Sequence, residues 1–364
     1  MKLHILHAAP FPFYTGGIDT WLASFLYFLG DENSIELYCL GSPKENEKVI
    51  YDDNGIVINY FGEKSLLNNI LKLSKKLRKN LQQGDKVLIL STIPLGLTLL
   101  MNVITFKRKK IKTIISIRGQ ITKDCIVLKK SIFVIISSYF IELISCHLSN
   151  TVVSNGIDTA KYLKAYFRIK SITIPNAISK QNLRNEAGTK LTLRRSQEEV
   201  IILHLGTIRP IKGIPFIVEC FDKYYLENPE SRITLHFVGK GDISHIKKLT
   251  KHKNKIFVHG EQSDVLSYIK SSDYAINFSG GSGVSNSLLE CLGEGVPVIA
   301  KNNLTFSQVL NSKNGYLIDS REDFYSLLER IELNEVNFVK EQVIRSIEEY
   351  KWECVKGKWE YLIN

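Results

Sequence analysis

Short hydrophobic runs alternate with longer amphipathic segments along most of this 364-residue chain. The run LHILHAA at residues 3–9 precedes a segment in which Ile18, Trp21, Leu22 and Phe25 recur at helical spacing. Further strand-and-helix pairs follow towards the end of the chain. Such alternation indicates parallel sheets covered by helices on both faces, which is the doubly wound α/β class.

The length of the chain and one polar stretch predict two domains. A chain of this size exceeds a single ordinary hydrophobic core. The polar and charged residues 179–199 separate two series of strands and helices, and we interpret them as a linker. The predicted domains are residues 1–180 and 181–340, and residues 341–364 are predicted to form a C-terminal helix.

Two apolar segments of the first domain allow more than one interpretation. Residues 87–106 contain no charged side chain and are long enough to span a bilayer. Pro94 and Gly96 divide this segment, which favours a strand, a turn and a helix, with a membrane span as the alternative. Residues 126–148 are helical and largely apolar, and they are expected to form a core-packed helix with one basic edge, with a membrane span as the alternative.

Positive charge is concentrated in the first half of the chain. Residues 1–180 hold 24 Lys and Arg against 13 Asp and Glu, whereas residues 181–364 hold 24 of each kind. This asymmetry indicates an anionic partner for the first half, such as a membrane, a nucleic acid or an acidic polymer. Leucines lie among the lysines of the basic run 72–79, which is typical of an amphipathic helix on a membrane surface. A second basic run occupies residues 107–112.

The cysteines and the N-terminus favour a cytoplasmic protein. The six cysteines are scattered without the paired spacing of a zinc site or a redox motif, so free thiols are expected. The apolar run near the N-terminus is short and broken by histidines, so it is interpreted as a first strand rather than a signal peptide.

The stretch 279–300, SGGSGVSNSLLECLGEGVPVIA, carries the strongest chemical signal. A glycine-rich loop leads into a helix, and a short apolar strand follows. Backbone N–H groups and the positive end of the helix dipole form a phosphate site in such a loop. Glu290 lies one to two turns into the helix, within reach of a sugar hydroxyl beside that phosphate. The alternative is a flexible loop followed by a solvated helix residue.

This stretch resembles the signature of family 4 of the retaining glycosyltransferases, which have the GT-B fold. The matching positions are Ser279, Gly283, Leu289, Glu290, Gly295, Pro297, Val298, Ile299 and Ala300. Ser282 departs from the pattern, because the family has there the first glutamate of a pair, which contacts the donor sugar. The resemblance implies that Glu290 binds the nucleotide ribose, and that Ser282, Gly283 and Val284 line the donor site.

Other elements extend the resemblance over nearly the whole chain. In the first domain it implies that Gly16 and Gly17 lie beside the donor phosphates, and that Arg118, in SIRGQ, faces the reacting phosphate; an ordinary surface arginine is the alternative. In the second domain Lys212 matches the family's diphosphate-binding lysine. The family's arginine position is Thr207, so Arg209 is offset by two. Gly239 and Gly241 match a glycine turn of the donor site.

The resemblance implies two Rossmann-like domains facing across a cleft, with the final helix crossing back to the first domain. The expected activity is sugar transfer with retention from a UDP- or GDP-type nucleotide-sugar, which is a substrate rather than a cofactor. Neither a cofactor nor a metal is expected, and Lys212, Arg118 and Arg209 are the predicted catalytic residues. The expected acceptor is a glycan, lipid-linked, in surface polysaccharide or O-antigen synthesis. The protein is expected to be cytoplasmic and peripheral at the inner face of the cell membrane, held to anionic lipid by its N-terminal domain.

Three other functions are weighed against this one. A dinucleotide-dependent oxidoreductase is disfavoured, because no G-x-G-x-x-G follows the first strand. A nucleic-acid partner is not expected, because no module interleaves basic and aromatic residues. A non-catalytic GT-B descendant that acts as a nucleotide-binding or scaffold subunit stays the alternative, since Ser282 replaces a family glutamate.

Overall fold

The computed structural model describes residues 2–11, 17–30, 34–41, 56–178, 193, 196, 198–241, 246, 248, 250–280 and 283–364. The chain divides into two compact units. Unit 1 comprises Met1–Asn176 and Trp352–Asn364, and unit 2 comprises Ala177–Lys351. The stretch interpreted as a linker, residues 179–199, lies largely outside the described residues.

Unit 1 is built on a seven-stranded sheet in which every pair of neighbouring strands is parallel. The strand order is β3-β2-β1-β4-β5-β6-β7. The strands are β1 (Lys2–His7), β2 (Ser34–Leu40), β3 (Val57–Phe61), β4 (Lys86–Ile89), β5 (Lys112–Ile117), β6 (Thr151–Ser154) and β7 (Ile172–Thr173). The helices are α1 (Gly17–Leu29), α2 (Leu66–Asn80), α3 (Gly96–Arg108), α4 (Ile121–Val127), α5 (Ile132–Leu148), α6 (Ile157–Phe167) and the C-terminal α13 (Trp352–Ile363).

Helices cover both faces of this sheet. Buried side chains of α2, α3 and α6 join those of the strands in one apolar cluster. An aromatic cluster ties α1 to α13. Trp21 of α1 lies 5.2 Å from Trp359 and 6.0 Å from Trp352, measured between ring centroids. All three tryptophans are buried, so the last helix of the chain is part of the core of unit 1.

Unit 2 is built on a six-stranded parallel sheet with the order β10-β9-β8-β11-β12-β13. The strands are β8 (Val200–Leu205), β9 (Ile233–Val238), β10 (Ile256–Gly260), β11 (Tyr274–Asn277), β12 (Val298–Lys301) and β13 (Gly315–Ile318). The helices are α7 (Ile214–Glu227), α8 (Val265–Lys270), α9 (Asn286–Gly293), α10 (Phe306–Val309), α11 (Arg321–Glu332) and α12 (Lys340–Arg345), with 3-10 helices at Pro210–Lys212 and Glu348–Tyr350.

The uncharged segment 87–106 is a strand, a turn and a helix, as predicted. It contains most of β4 and most of α3, and Pro94 lies between them. Within the described part of the chain, no helix is long and apolar enough to cross a bilayer.

The structure corrects two expectations about unit 1. Leu73 and Leu77 of the basic helix α2 are fully buried in the core, so these two leucines face the sheet, whereas Leu66, Leu67 and Leu71 of the same helix are exposed. The spacing of the leucines cannot show whether they face a sheet or a membrane. Residues 126–148 are not one core-packed helix: they run from the end of α4 through a turn into α5, and many of their large apolar side chains are exposed.

The strand orders mark one ligand-binding edge in each unit. The direction in which successive strands are added reverses between β1 and β4 in unit 1, and between β8 and β11 in unit 2. Ligands of open α/β sheets bind outside the carboxyl ends of the strands at such a switch point. The loops that follow β8 and β11 are therefore the place to look for a site in unit 2.

Candidate functional site

The loops at the switch point of unit 2 pack directly against each other. Gly213 ends the loop that follows β8, and it lies against Phe278, which follows β11. A Cβ on Gly213 would lie 2.6 Å from the Cβ of Phe278, and Gly213 has a φ of +75°. Only glycine fits this backbone without strain or collision. The two loops thus have fixed positions relative to each other.

The loop after β9 packs against the loop after β8 at the same carboxyl edge of the sheet. A Cβ on Gly239 would lie 1.9 Å from the carbonyl oxygen of Gly206, and one on Gly241 would lie 2.2 Å from that of Ile208. The backbone N–H of Ile208 donates to the carbonyl of Lys240 at 2.8 Å. Gly239 and Gly241 therefore allow two loops to touch along their backbones. Their predicted contact with a donor stays a prediction.

Lys212 and Arg209 lie together in the loop after β8. Lys212 ends the 3-10 helix Pro210–Lys212, and its backbone N–H donates to the carbonyl of Arg209 at 2.9 Å. Lys212 is partly buried and Arg209 is exposed. The neighbouring His204 of β8 is buried, and this burial, together with the charge of Lys212, lowers the pKa of His204 to about 4. His204 is therefore neutral at pH 7, and the lysine and arginine supply the positive charge of this loop.

Helix α9 begins beside that loop. The position of a Cβ on Gly206 lies 3.8 Å from the Oγ of Ser287, in the first turn of α9. Gly283, at a φ of +86°, and the buried Val284 lead into the helix. The first N–H groups of a helix have no partner within it. The helix start and the lysine loop are thus neighbours at one edge of the sheet.

Glu290 lies one turn into α9 and is partly buried. Burial raises the pKa of its carboxyl to about 7, because a buried carboxylate loses hydration. Its side chain has no hydrogen bond or ion pair to another described residue. A carboxyl with a raised pKa and no partner among the described residues, in a helix that begins beside the Lys212 loop, is a functional-site candidate on physical grounds.

Two predicted site residues, Gly16 and Ser282, lie outside the described residues. Gly17 is described: it is exposed and begins α1 directly after that gap. Within the first turn of the same helix, the buried Asp19 is paired with His7 at 2.9 Å. This pair joins the carboxyl end of β1 to the start of α1.

Arg118 follows the carboxyl end of β5 in unit 1 and is not a solvated surface arginine. One Nη donates to the Oδ1 of Asn176 at 2.6 Å, and the guanidinium lies over the ring of Trp21. Nε and the second Nη are buried without a hydrogen-bond partner among the described residues. Burial lowers the pKa of Arg118 well below its ordinary value. An anion placed against these free donors would compensate for their lost hydration.

Sequence reasoning missed the residues that position the site. The sequence indicates Trp21 only as part of the apolar face of its helix. Asn176 and His204 carry no predicted role. A tryptophan one turn after a glycine pair was the available signal for the first; nothing in the pattern marked the other two.

The comparison with protein families identifies the domain that carries this edge. Residues 199–332 match the family model described as glycosyl transferases group 1. The match lies within unit 2 and includes Lys212, Gly239, Gly241 and Glu290. A comparison with curated protein sequences finds no match.

Solved structures resemble the whole chain. The Anabaena protein HepE in complex with UDP and glucose has a TM-score of 0.76 at 12% identity, with 100% of this chain and 99% of that chain covered. Sucrose-phosphate synthase from Thermosynechococcus elongatus has a TM-score of 0.79 at 13% identity, with coverages of 100% and 98%. The lipopolysaccharide outer core galactosyltransferase WaaB has a TM-score of 0.68 at 14% identity, with coverages of 100% and 99%.

These comparisons confirm two predictions. At such low identity the structural likeness shows the fold, which is GT-B with two Rossmann-like domains. The family match identifies residues 199–332 as a glycosyltransferase domain, so the chain is an enzyme of the glycosyltransferase class.

Proposed function

We propose that the chain transfers a sugar from a UDP- or GDP-type nucleotide-sugar to a lipid-linked glycan, with retention of anomeric configuration. The observation that carries the proposal is the meeting of the Lys212 loop with the start of α9 at the switch point of unit 2. HepE, which has the same fold, was solved with UDP and with UDP-glucose. A nucleoside diphosphate is the ligand that this edge would accept here.

The diphosphate is both the anchor of the donor and the leaving group. As the glycosidic bond to phosphate breaks, negative charge accumulates on the departing oxygen. Fixed positive groups aimed at that charge lower the barrier, because they need not reorganise during the reaction. Lys212, Arg209 and the first N–H groups of α9 are proposed to supply them without a metal ion or a cofactor.

Glu290 is proposed to fix the nucleoside half of the donor. In its ionised form its carboxylate would accept hydrogen bonds from the ribose hydroxyls, which would satisfy a group that has no partner among the described residues. Gly283, Val284 and Ser282 are proposed to lie beside the donor sugar. Because Ser282 lacks the carboxylate found in similar enzymes, the sugar would have one charged anchor fewer.

Unit 1 is proposed to bind the acceptor, with Gly17 beside the donor phosphates. The two free donors of Arg118 would act on the reacting phosphate. We propose that the acceptor attacks the donor sugar on the same face from which the leaving group departs. Such attack retains the anomeric configuration and requires no enzymatic nucleophile. The net positive charge of residues 1–180 would hold the enzyme peripherally at the inner face of the cell membrane, in surface polysaccharide or O-antigen synthesis.

A transfer assay tests the proposal. The protein is incubated in EDTA with UDP- and GDP-sugars and a lipid-linked glycan extract, and nucleoside diphosphate release is measured. Release that depends on the acceptor, and an α-linked product from an α-linked donor by NMR, are expected. Activity that vanishes in EDTA and returns with magnesium would contradict the metal-free phosphate site. Nucleotide binding without any release would favour the scaffold alternative.

A further inference from the structure

Helices α4 and α5 of unit 1 form an antiparallel hairpin. The backbone N–H of Thr122, in α4, donates to the carboxylate of Glu142 in α5 at 2.9 Å. Further along α4, the sulfur of Cys125 lies 3.7 Å from the hydroxyl of Ser138. The contact that lies later in α4 is made to the earlier residue of α5, so the two helices are antiparallel. Residues 128–131, which connect them, form the tip of the hairpin.

The base of the hairpin, at Glu142, is anchored to unit 1, and the tip extends away from this anchor. The buried Glu142 also accepts a hydrogen bond from the hydroxyl of Tyr162 in α6, at 2.6 Å. From Glu142 back to Ile132 at the start of α5, the helix extends about 15 Å at 1.5 Å per residue. The base is therefore held by a polar network, and the outer turns of α5 lie beyond it.

The polarity of α5 is the reverse of that of an ordinary surface helix. The side chains that it buries are mostly polar: Ser138, Glu142, Ser145 and Cys146. The side chains that it exposes are large and apolar: Ile132, Phe133, Val134, Ile136, Phe140 and Ile144. Phe133 is 81% exposed. Three more large apolar residues at the end of α4 and in the following turn, Ile126, Val127 and Leu128, are also exposed. We call these nine exposed residues the hairpin face.

Exposed large apolar side chains grouped in one helical hairpin mark an interaction site. Exposed lysines identify its partner. Lys129 and Lys130 occupy the tip, and Lys123 lies on α4, also exposed. A second copy of this chain would cover the apolar side chains but would not give these lysines the anionic surface that lipid headgroups present. A surface with an apolar interior and anionic headgroups satisfies both the apolar and the basic side chains.

We propose that the hairpin face inserts into the interfacial region of an anionic lipid bilayer. The apolar side chains enter the boundary between headgroups and acyl chains, and the lysine heads remain among the lipid phosphates. The inference rests on the proposed function for its purpose, which is to meet a lipid-borne acceptor. Its geometry rests only on the exposed residues of α4 and α5.

Vesicle sedimentation tests the contribution of the apolar side chains. The full chain is mixed with vesicles of equal parts phosphatidylglycerol and phosphatidylcholine, in about 0.5 M NaCl, where the Debye length is only a few ångströms. Phe133→Ser should weaken partitioning about tenfold, as expected for one large apolar side chain withdrawn from lipid. The matched control is Leu226→Ser in α7 of unit 2. Leu226 is 75% exposed, so its replacement should leave partitioning unchanged.

Fluorescence supplies a second readout that does not rely on weakened binding. The native tryptophans, Trp21, Trp352 and Trp359, are all buried. A Phe133→Trp variant should therefore add the one indole that brominated phospholipids quench strongly. A Leu226→Trp variant should show no more quenching than the wild type.

Several results would overturn the proposal. These are equal partitioning of wild type and Phe133→Ser, an unquenched indole in Phe133→Trp, or no vesicle binding at all. A dimer that Phe133→Ser dissociates in the absence of lipid would assign the face to a second copy instead. Titration of the same samples with UDP and GDP keeps the two proposals separate. Intact nucleotide binding with no insertion defeats only the hairpin, and insertion without nucleotide binding defeats only the proposed function.

Discussion

The guanidinium carbon of Arg118 lies 3.5 Å from the centroid of the Trp21 ring. Trp21 in turn packs against Trp359 of the C-terminal helix α13. The arginine that follows β5 is thus seated on an aromatic cluster that joins α1 to the end of the chain. Such stacking fixes the plane of the guanidinium and leaves its remaining N–H groups in a defined direction.

Arg118→Lys should lower turnover about 100-fold, which is the scale for loss of one preorganised electrostatic donor. A lysine has neither the planar fork nor the stacking surface of an arginine. Nucleoside diphosphate affinity should change much less, because that site is assigned to unit 2. Steady-state kinetics measures turnover, and calorimetry measures nucleotide affinity. The control is Arg108→Lys, at an exposed position of α3. Unchanged turnover would remove Arg118 from the reaction.

Lys212→Ala should also lower turnover by about 100-fold or more, since in the proposed mechanism it removes the principal charge opposite the leaving diphosphate. Lys223→Ala is the matched control. Lys223 lies in the following helix α7 with a side chain that is 56% exposed and paired with Glu227 across one turn. Single-turnover rates with the active donor provide the measurement. Equal losses in the two variants would show a general effect of charge rather than a phosphate contact.

Glu290 should make nucleotide binding depend on pH. Its pKa of about 7 means that, one pH unit below that value, only about one tenth of the protein carries the ionised carboxylate that is proposed to bind the ribose. The affinity for nucleoside diphosphate should therefore fall about tenfold at that pH, relative to its alkaline plateau. Glu290→Gln retains any titration of the phosphate itself, so the difference between the two profiles isolates Glu290. Parallel profiles would contradict the assignment.

The same carboxyl affects stability in the opposite direction. The pKa of Glu290 is raised from an ordinary 4.5 in the folded state, so the folded protein binds more protons than the unfolded chain between those two values. The free energy of unfolding should therefore fall as pH rises through about 4.5 to 7. Denaturant titrations of Glu290→Gln should show a shallower fall over this window.

Gly239→Ala should destabilise unit 2 by about 3 kcal/mol. A methyl group there would lie 1.9 Å from the Gly206 carbonyl oxygen, at a φ of +144° that L-residues rarely adopt. Gly280→Ala is the control, because no described atom lies within 4 Å of its Cβ position. Thermal unfolding followed by circular dichroism measures both variants. Equal melting temperatures would mean that the two loops can separate at little cost.

The fold was largely predictable because its signals are local. Each strand of unit 2 is a short apolar run, and glycines such as Gly239 and Gly241 mark backbone that other residues cannot adopt. The motif spacing predicts Lys212 as a site residue, and its role stays a prediction. The strands and these residues can be identified without knowledge of the strand order.

What the sequence concealed depends on which side of a helix faces the protein. The leucines of α2 and the apolar residues of α5 look alike as patterns. Leu73 is nevertheless buried against the sheet, whereas Phe133 is exposed. The stacking of Arg118 on Trp21 was equally hidden, because the two residues are distant in sequence and meet only through the tertiary fold. The roles predicted for Gly16 and Ser282 stay predictions.

Calorimetric titration of wild type and Glu290→Ala with UDP and GDP tests the central claim most directly. That claim is that the Lys212 loop and helix α9 together bind the nucleoside diphosphate of the donor. One of the two nucleotides should bind the wild type, and Glu290→Ala should bind it more weakly by about 1.5–3 kcal/mol, the range for a hydrogen bond to a charged group. The melting temperature should not change. Equal affinity of the two proteins, or no binding of either nucleotide to the wild type, would contradict the claim.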